Sequence, residues 1–257
     1  FGRTVTCDYF PDSEWIDFYM FQSGHRRYDQ KSLKKWDDSM TMGYFYGEDT
    51  YKYIERVEKC GNPKPVLDGE PSYEHIPHGL HDPSQPFWQD YDVRRFAYWS
   101  VLAGACGFTF GHSSIMQFYT GDGTEPGAYG CTINWKDAVH SPASDNMSKM
   151  AALMRSVPFE KGHAAQKLLA YKEGLRYNRI SAFAGEDFAL FYDYTGRKIE
   201  LNPNPVAGEY LDAWWFDPVS GTESYIGKFK QDCILTFAPP VGTFTHNDWV
   251  LKIKSAE

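Results

Sequence analysis

Two acidic side chains, Asp68 and Glu70, follow a short apolar run in the segment Lys64–Glu74. Pro71 ends the strand that this run predicts, because proline has no N–H to donate to a neighbouring strand. Barrel enzymes place catalytic carboxylates at the carboxyl ends of buried strands in this way. A turn with solvated acids would show the same pattern, since Asp-Gly is common in turns. The segment alone therefore leaves a catalytic and a structural interpretation open.

The composition limits the classes of function. A formal net charge of −8 at pH 7 argues against nucleic acid or an anionic membrane as the main partner. No stretch approaches the length of a membrane-spanning helix. Aromatic residues make up 17% of the chain, which fits either a wide core or stacking surfaces for sugars.

The cysteines and histidines do not predict a metal or a cofactor. The five cysteines are widely spaced and lack metal-ligand spacing, so a structural zinc site is not expected, nor is a disulfide framework in a chain of this length. His75, His78 and His81 cluster with Asp82 and are the alternative metal ligands. An intervening proline and glycine keep these histidines off a common helix face, so a metal site is not predicted.

Residues 1–164 alternate short apolar runs with helical patterns, which indicates parallel βαβ units. Four strands are half the number in a complete (β/α)8 barrel, so this region is either a small open α/β sheet or half of a barrel. The predicted strands are Arg3–Tyr9, Ile16–Gln22, Pro65–Glu70 and Cys106–Phe110, and the predicted helices are Tyr51–Lys59, Val93–Leu102 and Asp145–Arg155.

Residues 165–257 have a different pattern, in which short predicted strands are separated by turn residues. This spacing predicts an antiparallel β-sandwich, so the expected fold class is α/β plus all-β with a boundary after residue 164. The predicted strands are Ile180–Ala184, Phe188–Tyr194, Lys198–Leu201, Tyr210–Asp217, Ser224–Phe229, Ile234–Ala238 and Trp249–Ile253.

Four segments occur in one order, and their combination is specific although each alone is weak: Trp15–His25, Lys64–Glu74, Arg94–Gly104 and Gly107–Ile115. Trp214–Pro218 and Asp248–Leu251 follow near the C-terminus. This combination resembles the apiosidase-like glycoside hydrolases, clan-A (β/α)8 barrels with a C-terminal β-domain that was once labelled collagen-binding.

The resemblance implies that the chain corresponds to about strands 5–8 of the barrel followed by the sandwich. Glu70 would then end the seventh strand, where retaining enzymes of the clan carry the nucleophile. Their acid/base ends the fourth strand, which would precede Phe1. The chain is therefore expected to need the N-terminal half of its barrel and to be unstable alone, because half a barrel exposes a sheet edge and an apolar interior.

Polar side chains at the ends of the predicted strands are the candidate substrate-binding residues. Gln22 and His25 end one strand, and His112 and Ser114 follow the last one, so all four are expected on the same rim of the barrel. Gln22 and His25 suit hydrogen bonds either to sugar hydroxyls or to the nucleophile. Tyr73 could donate a hydrogen bond to Glu70.

Asp68 is expected on the same face as Glu70. It has two equal interpretations: a sugar ligand, or a structural acid paired with an arginine.

Tryptophans on predicted loops are the candidates for a sugar-stacking surface. Trp88 and Trp135 lie on loops, where packing explains an exposed aromatic less readily. Arg94, Tyr98 and Trp99 lie at helical spacing, which favours core packing instead.

The predicted function is therefore a retaining glycoside hydrolase acting on a plant-type glycan or its side chains, with apiose as the sugar that the family name suggests. The alternative is a carbohydrate-binding or catalytically inactive relative, which the missing fourth-strand acid and the abundant aromatics would favour. Separate binding of a polymer by residues 165–257 has no support from particular residues. Secretion or a periplasmic location is suspected, with any targeting segment lying outside these residues.

Overall fold

The computed structural model describes residues 4–28, 47–123, 127–243 and 246–257. The chain divides into two compact units, Phe1–Val101 with Ala105–Met147 and Leu102–Gly104 with Ser148–Glu257. Among the described residues, no helix has the length and hydropathy that crossing a membrane requires.

The first unit contains a three-stranded parallel sheet whose order follows the chain, β1-β2-β3. Helices connect successive strands, as parallel pairing requires. Phe21 at the end of β1 pairs with Asp68 at the end of β2, so the carboxyl ends of these strands lie side by side. The elements are β1 (Tyr19–Phe21), α1 (Thr50–Glu58), β2 (Val66–Asp68), α2 (Asp90–Val101), β3 (Gly107–Phe108), α3 (Ser113–Met116) and α4 (Trp135–Ala138), and α5 (Pro142–Arg155) crosses the division between the units.

Helix α2 is buried on nearly all sides, which explains its mixed composition. Tyr98 and Trp99 are at most 1% exposed, which confirms the prediction that they form core. Arg95 is equally buried, and its guanidinium lies 2.9 Å from the carboxylate of Asp92. Such pairing is what allows arginine in an apolar interior.

The first predicted strand, Arg3–Tyr9, is wrong over the residues that the structure describes, and Arg3 lies outside them. Thr6–Asp8 forms a short 3-10 helix, and only Val5 makes a bridge to β1. The Asp8 carboxylate accepts a hydrogen bond from the backbone N–H of Val5 at 2.8 Å. This local bond competes with strand pairing.

A disulfide joins Cys7 to Cys60, 53 residues further along the chain. The sequence did not predict it, because the spacing of cysteines does not reveal which of them meet in space. Cys106, Cys131 and Cys233 are free thiols.

The second unit is built from antiparallel strands in two sheets. The larger sheet has the order β4-β5-β6-β11-β8-β9, and the smaller pairs β10 with β7. All seven predicted strands are present, and β4 was not predicted. The strands are β4 (His163–Ala164), β5 (Ile180–Ala184), β6 (Phe188–Asp193), β7 (Ile199–Leu201), β8 (Tyr210–Phe216), β9 (Glu223–Lys230), β10 (Leu235–Phe237) and β11 (Trp249–Ala256).

The core of this unit lies between its two sheets. Phe191 and Leu251 of the larger sheet belong to the same buried cluster as Ile199, Leu201 and Phe237 of the smaller one. Alternate residues of β8 enter this core, as expected when only one face of a strand meets it. The arrangement is consistent with the predicted sandwich.

An ion pair with a buried cation lies on the larger sheet. The ammonium of Lys252, on β11, lies 2.6 Å from a carboxylate oxygen of Glu223 on β9. It also donates to the hydroxyl of Ser156 at 3.0 Å. The Lys252 side chain is 7% exposed and that of Glu223 is 34% exposed, so the cation is the more deeply buried partner.

Candidate active site

Glu70 follows the end of β2 and presents a half-exposed carboxylate. Its Oε1 accepts a hydrogen bond from Nε2 of Gln22 at 2.6 Å and lies 3.3 Å from Nε2 of His25. The hydrogen bond from His25 is the main reason that the pKa of Glu70 is lowered, and Gln22 adds to the effect against the opposing effect of burial. Glu70 is therefore both accessible and ionised near neutral pH.

The chain after β1 brings Gln22 and His25 to Glu70. The backbone N–H of Gly24 donates to the carbonyl oxygen of Glu70 at 3.1 Å. A Cβ atom on Gly24 would lie 2.4 Å from the carbonyl carbon of Pro71, so only glycine permits this approach. Backbone contact between the two segments thus fixes where their side chains can reach.

Asp68 is fully buried behind Glu70 and does not reach the solvent. Its Oδ2 accepts hydrogen bonds from the hydroxyls of Ser23 and Ser100, each at 2.7 Å. Burial raises its pKa to about 7, although the two serines partly offset that effect. The expectation that Asp68 contacts a sugar is corrected, and its partners are serines rather than an arginine.

Tyr73 lies beside the carboxylate, with its ring perpendicular to that of His25 at a centroid distance of 5.3 Å. Burial and the charges of Glu70 and Asp68 raise the pKa of its phenol. The described residues show no hydrogen bond from Tyr73 to Glu70. Gly111 packs against the Tyr73 ring, where a Cβ would lie 2.3 Å from a ring carbon.

Two depressions open near these residues. A cleft of about 370 Å³ is lined by Gln22 and Glu70 together with apolar side chains such as Phe10 and Met20. A smaller pocket of about 220 Å³ includes Tyr73 and His112 in its lining. Of these two, the larger cleft is the one that includes Glu70 in its lining.

His112 and Ser114 face the protein interior. Both are 1% exposed. Nδ1 of His112 accepts a hydrogen bond from the backbone N–H of Ser114 at 3.0 Å, and the Ser114 hydroxyl lies 3.1 Å from Sγ of Cys131. Burial and the nearby His75 lower the pKa of His112 to about 4, so this ring is neutral at pH 7. The expected sugar contact of Ser114 is therefore corrected, because its hydroxyl packs inward. His112 caps α3 and also lines the smaller pocket, so its contact with a sugar stays a prediction.

Trp88 is also buried rather than exposed, which corrects its expected role as a stacking surface. Its backbone exchanges hydrogen bonds with His75 and Ile76, at 3.0 and 2.9 Å, and this pairing turns the indole inward. The ring centroid lies 3.9 Å from that of His78. By contrast, Trp135 at the start of α4 is partly exposed, 5.7 Å from the ring of Phe118.

Within the described parts of the chain, no group of three or more His, Cys, Asp or Glu side chains has metal-binding geometry. Of the histidines considered as metal ligands, the ring of His75 packs against that of His112 and the ring of His78 against that of Trp88. Sequence reasoning missed Ser23 and Ser100, which donate hydrogen bonds to Asp68, and Gly24, whose backbone N–H donates to the carbonyl oxygen of Glu70. The sequence signal available for Ser100 was a serine at a position of α2 where the helical spacing predicts an apolar residue.

Comparison with known families identifies the chain. Residues 2–161 match the model of the family described as "Apiosidase-like, catalytic domain". The chain belongs to this family. Residues 164–254 match a second family, described as "Putative collagen-binding domain of a collagenase". The resemblance recognised in the sequence is thereby confirmed.

Solved structures of glycoside hydrolases share the fold of this apiosidase-like chain. One, described as a glycoside hydrolase, is 39% identical with a TM-score of 0.90, covering 99% of this chain and 56% of its own. Another, a glycoside hydrolase family 5 protein from Bacteroides vulgatus, is 37% identical with a TM-score of 0.91, at 99% and 54% coverage. The chain thus spans just over half the length of these proteins. No curated protein matches it.

Proposed function

We propose that this chain carries the nucleophile of a retaining glycoside hydrolase and that Glu70 is that nucleophile. The observation that carries the proposal is the accessible, ionised Glu70 carboxylate, which opens into a cleft and is held by Gln22 and His25. A retaining enzyme needs such a carboxylate to attack the anomeric carbon and form a covalent glycosyl intermediate. Membership of the apiosidase-like family supports the same reaction.

The second carboxyl group, the general acid/base, is proposed to come from barrel strands outside these residues. The acids nearest to Glu70 in sequence, Asp68 and Glu74, are 0% and 2% exposed and cannot lie across a sugar from it. The two similar structures are nearly twice as long as this chain. We propose a domain boundary after residue 164, which the family matches at residues 2–161 and 164–254 support to within a few residues.

The proposed substrate is a terminal or side-chain sugar of a plant-type glycan, with apiose as the first sugar to test. Tyr73 and Trp135 are the remaining aromatic candidates for contact with it, since both are partly exposed. A secreted or periplasmic location fits the Cys7–Cys60 disulfide, because disulfides persist in oxidising compartments.

The decisive experiment traps the intermediate. A 2-fluoro glycoside with a good leaving group should add one sugar mass to the peptide that contains Glu70. Glu70→Gln should lower kcat by about three orders of magnitude or more and abolish labelling. Glu55→Gln, at an exposed position of α1, is the matched control and should retain full activity. Labelling of another carboxylate would overturn the assignment.

Sugar binding without hydrolysis is the second candidate function, and the burial of Asp68 and Glu74 favours it. Calorimetry should distinguish the two proposals. Heat of binding with no product after long incubation, in a protein that contains these residues together with the rest of its barrel, would favour binding. Product formation would exclude it.

A further inference from the structure

One buried oxygen atom joins three elements behind the Glu70 carboxylate. Oδ2 of Asp68, at the end of β2, accepts hydrogen bonds from Ser23, which follows β1, and from Ser100, on α2. Both hydroxyls lie 2.7 Å from it. All three side chains are at most 3% exposed, so water does not compete for these bonds.

Ser23 stands between the two residues whose side chains reach Glu70. Gln22 precedes it and His25 follows two residues later, and both meet the same oxygen, Oε1. A shift of Ser23 by a fraction of an ångström would therefore move both donors, since backbone geometry links them directly. Ser100 is not part of that segment, although its bond to Asp68 has the same length.

We propose that Asp68 is a positioning residue: by holding Ser23, it keeps Gln22 and His25 on Oε1 of Glu70 and so maintains the ionised carboxylate. Asp68 is excluded from contact with a substrate by its complete burial. The value of this arrangement for catalysis rests on the proposed function of Glu70, whereas the geometry does not depend on it.

The pKa shifts of the two acids are consistent with a positioning role for Asp68 and an ionised Glu70. Burial and the charge of Glu70 raise the pKa of Asp68, and His25 lowers that of Glu70. The two environments shift the pKa values of the neighbouring carboxyl groups in opposite directions, so Glu70 ionises at lower pH than Asp68. Oδ2 of Asp68 accepts the serine hydroxyls whether its carboxyl group is ionised or carries a proton on Oδ1.

The test compares two serine variants by titrating Glu70 itself. In Ser23→Ala and Ser100→Ala, each protein loses one hydroxyl bond to the same atom. The carboxyl carbon of Glu70 is followed by NMR in the purified protein labelled at glutamate, with Glu70→Gln identifying the signal. We expect Ser23→Ala to raise the pKa of Glu70 by about 0.5–1 pH unit and Ser100→Ala to change it by less than about 0.2.

Equal shifts in the two variants would overturn the proposal, as would an unchanged Glu70 titration in Ser23→Ala. Comparable losses in thermal midpoint are expected for both, so stability alone cannot mimic the result. Asp68→Asn keeps an acceptor oxygen and should preserve the low pKa of Glu70. No substrate enters this experiment, so its outcome is independent of whether fluoro-sugar labelling succeeds.

Discussion

Nε2 of Gln22 lies 2.6 Å from Oε1 of Glu70, and Nε2 of His25 lies 3.3 Å from the same oxygen. Hydrogen bonds to an ionised group are stronger than neutral ones, so these donors stabilise the carboxylate rather than the acid. The same two contacts therefore fix the orientation of the Glu70 side chain and its charge.

Removing either donor should raise the pKa of Glu70. Because Glu70 must be ionised to attack, the acidic limb of kcat/KM should move to higher pH in Gln22→Ala and further in His25→Ala, since His25 has the larger effect. The measurement is the pH dependence of kcat/KM from pH 3 to 8. Gln85→Ala, away from these contacts, is the control, and a larger displacement for Gln22→Ala than for His25→Ala would contradict the interpretation.

The ionisation of Asp68 should make the protein less stable as pH rises. Its folded pKa of about 7 lies above the ordinary value of 3.8, so its contribution is complete below pH 3.8 and is lost as pH rises to about 7. Asp68→Asn does not ionise. Its free energy of unfolding should therefore improve relative to wild type across this interval, by up to about 4 kcal/mol.

Urea unfolding at pH 4, 5.5, 7 and 8 would measure this difference. Asp12→Asn replaces an exposed acid and serves as the control. Curves for wild type and Asp68→Asn that stay parallel over the whole range would show that the carboxyl group does not resist ionisation.

Gly24→Ala should disturb both folding and the site. The added methyl group would lie 2.4–2.5 Å from backbone atoms of Pro71 and Ser72, which cannot rotate away. We expect a loss of about 1–3 kcal/mol in the free energy of unfolding and an increase in the pKa of Glu70. In Gly61→Ala the nearest heavy atom would be 3.8 Å away, so that variant should match wild type in both measurements. Equal stabilities would contradict the close approach.

In the second unit, replacing Glu223 and replacing Lys252 should lower the free energy of unfolding by different amounts. Glu223→Gln leaves the more deeply buried ammonium without its counter-ion, and we expect a loss of about 2 kcal/mol in the free energy of unfolding. Lys252→Met removes the buried charge and should cost less than about 1 kcal/mol. Chemical denaturation of the two single variants measures both losses. A greater loss for Lys252→Met than for Glu223→Gln would contradict the prediction.

The strands of the second unit were predictable because their signals are local. Runs such as Ile180–Ala184 are bounded by turn residues, and alternation along β8 follows from one face meeting the core. The 3-10 helix at Thr6–Asp8 was not predictable from β propensity, because the Asp8 carboxylate accepts a hydrogen bond from the backbone N–H of Val5 and redirects the backbone. The local sequence pattern indicates which secondary structure a segment favours, and side-chain contacts of this kind determine which one it adopts.

Within the site, strand position predicted that Gln22 and His25 would lie on the same rim as Glu70, and both lie beside its carboxylate. The same reasoning placed Asp68, Ser114 and Trp88 at the surface, and all three are buried. Their side chains turn inward because of partners far away in sequence, such as Ser100 for Asp68 and Cys131 for Ser114. Those pairings depend on the folded chain and leave no local trace.

The Cys7–Cys60 disulfide has a consequence for proteolysis. Gln22 and His25 lie between the bridged cysteines, and Glu70 lies beyond them. If a protease cut the chain once between Tyr28 and Cys60, the fragment with the two donors would remain covalently attached to the fragment with Glu70. Such a nick would appear on a gel only after reduction.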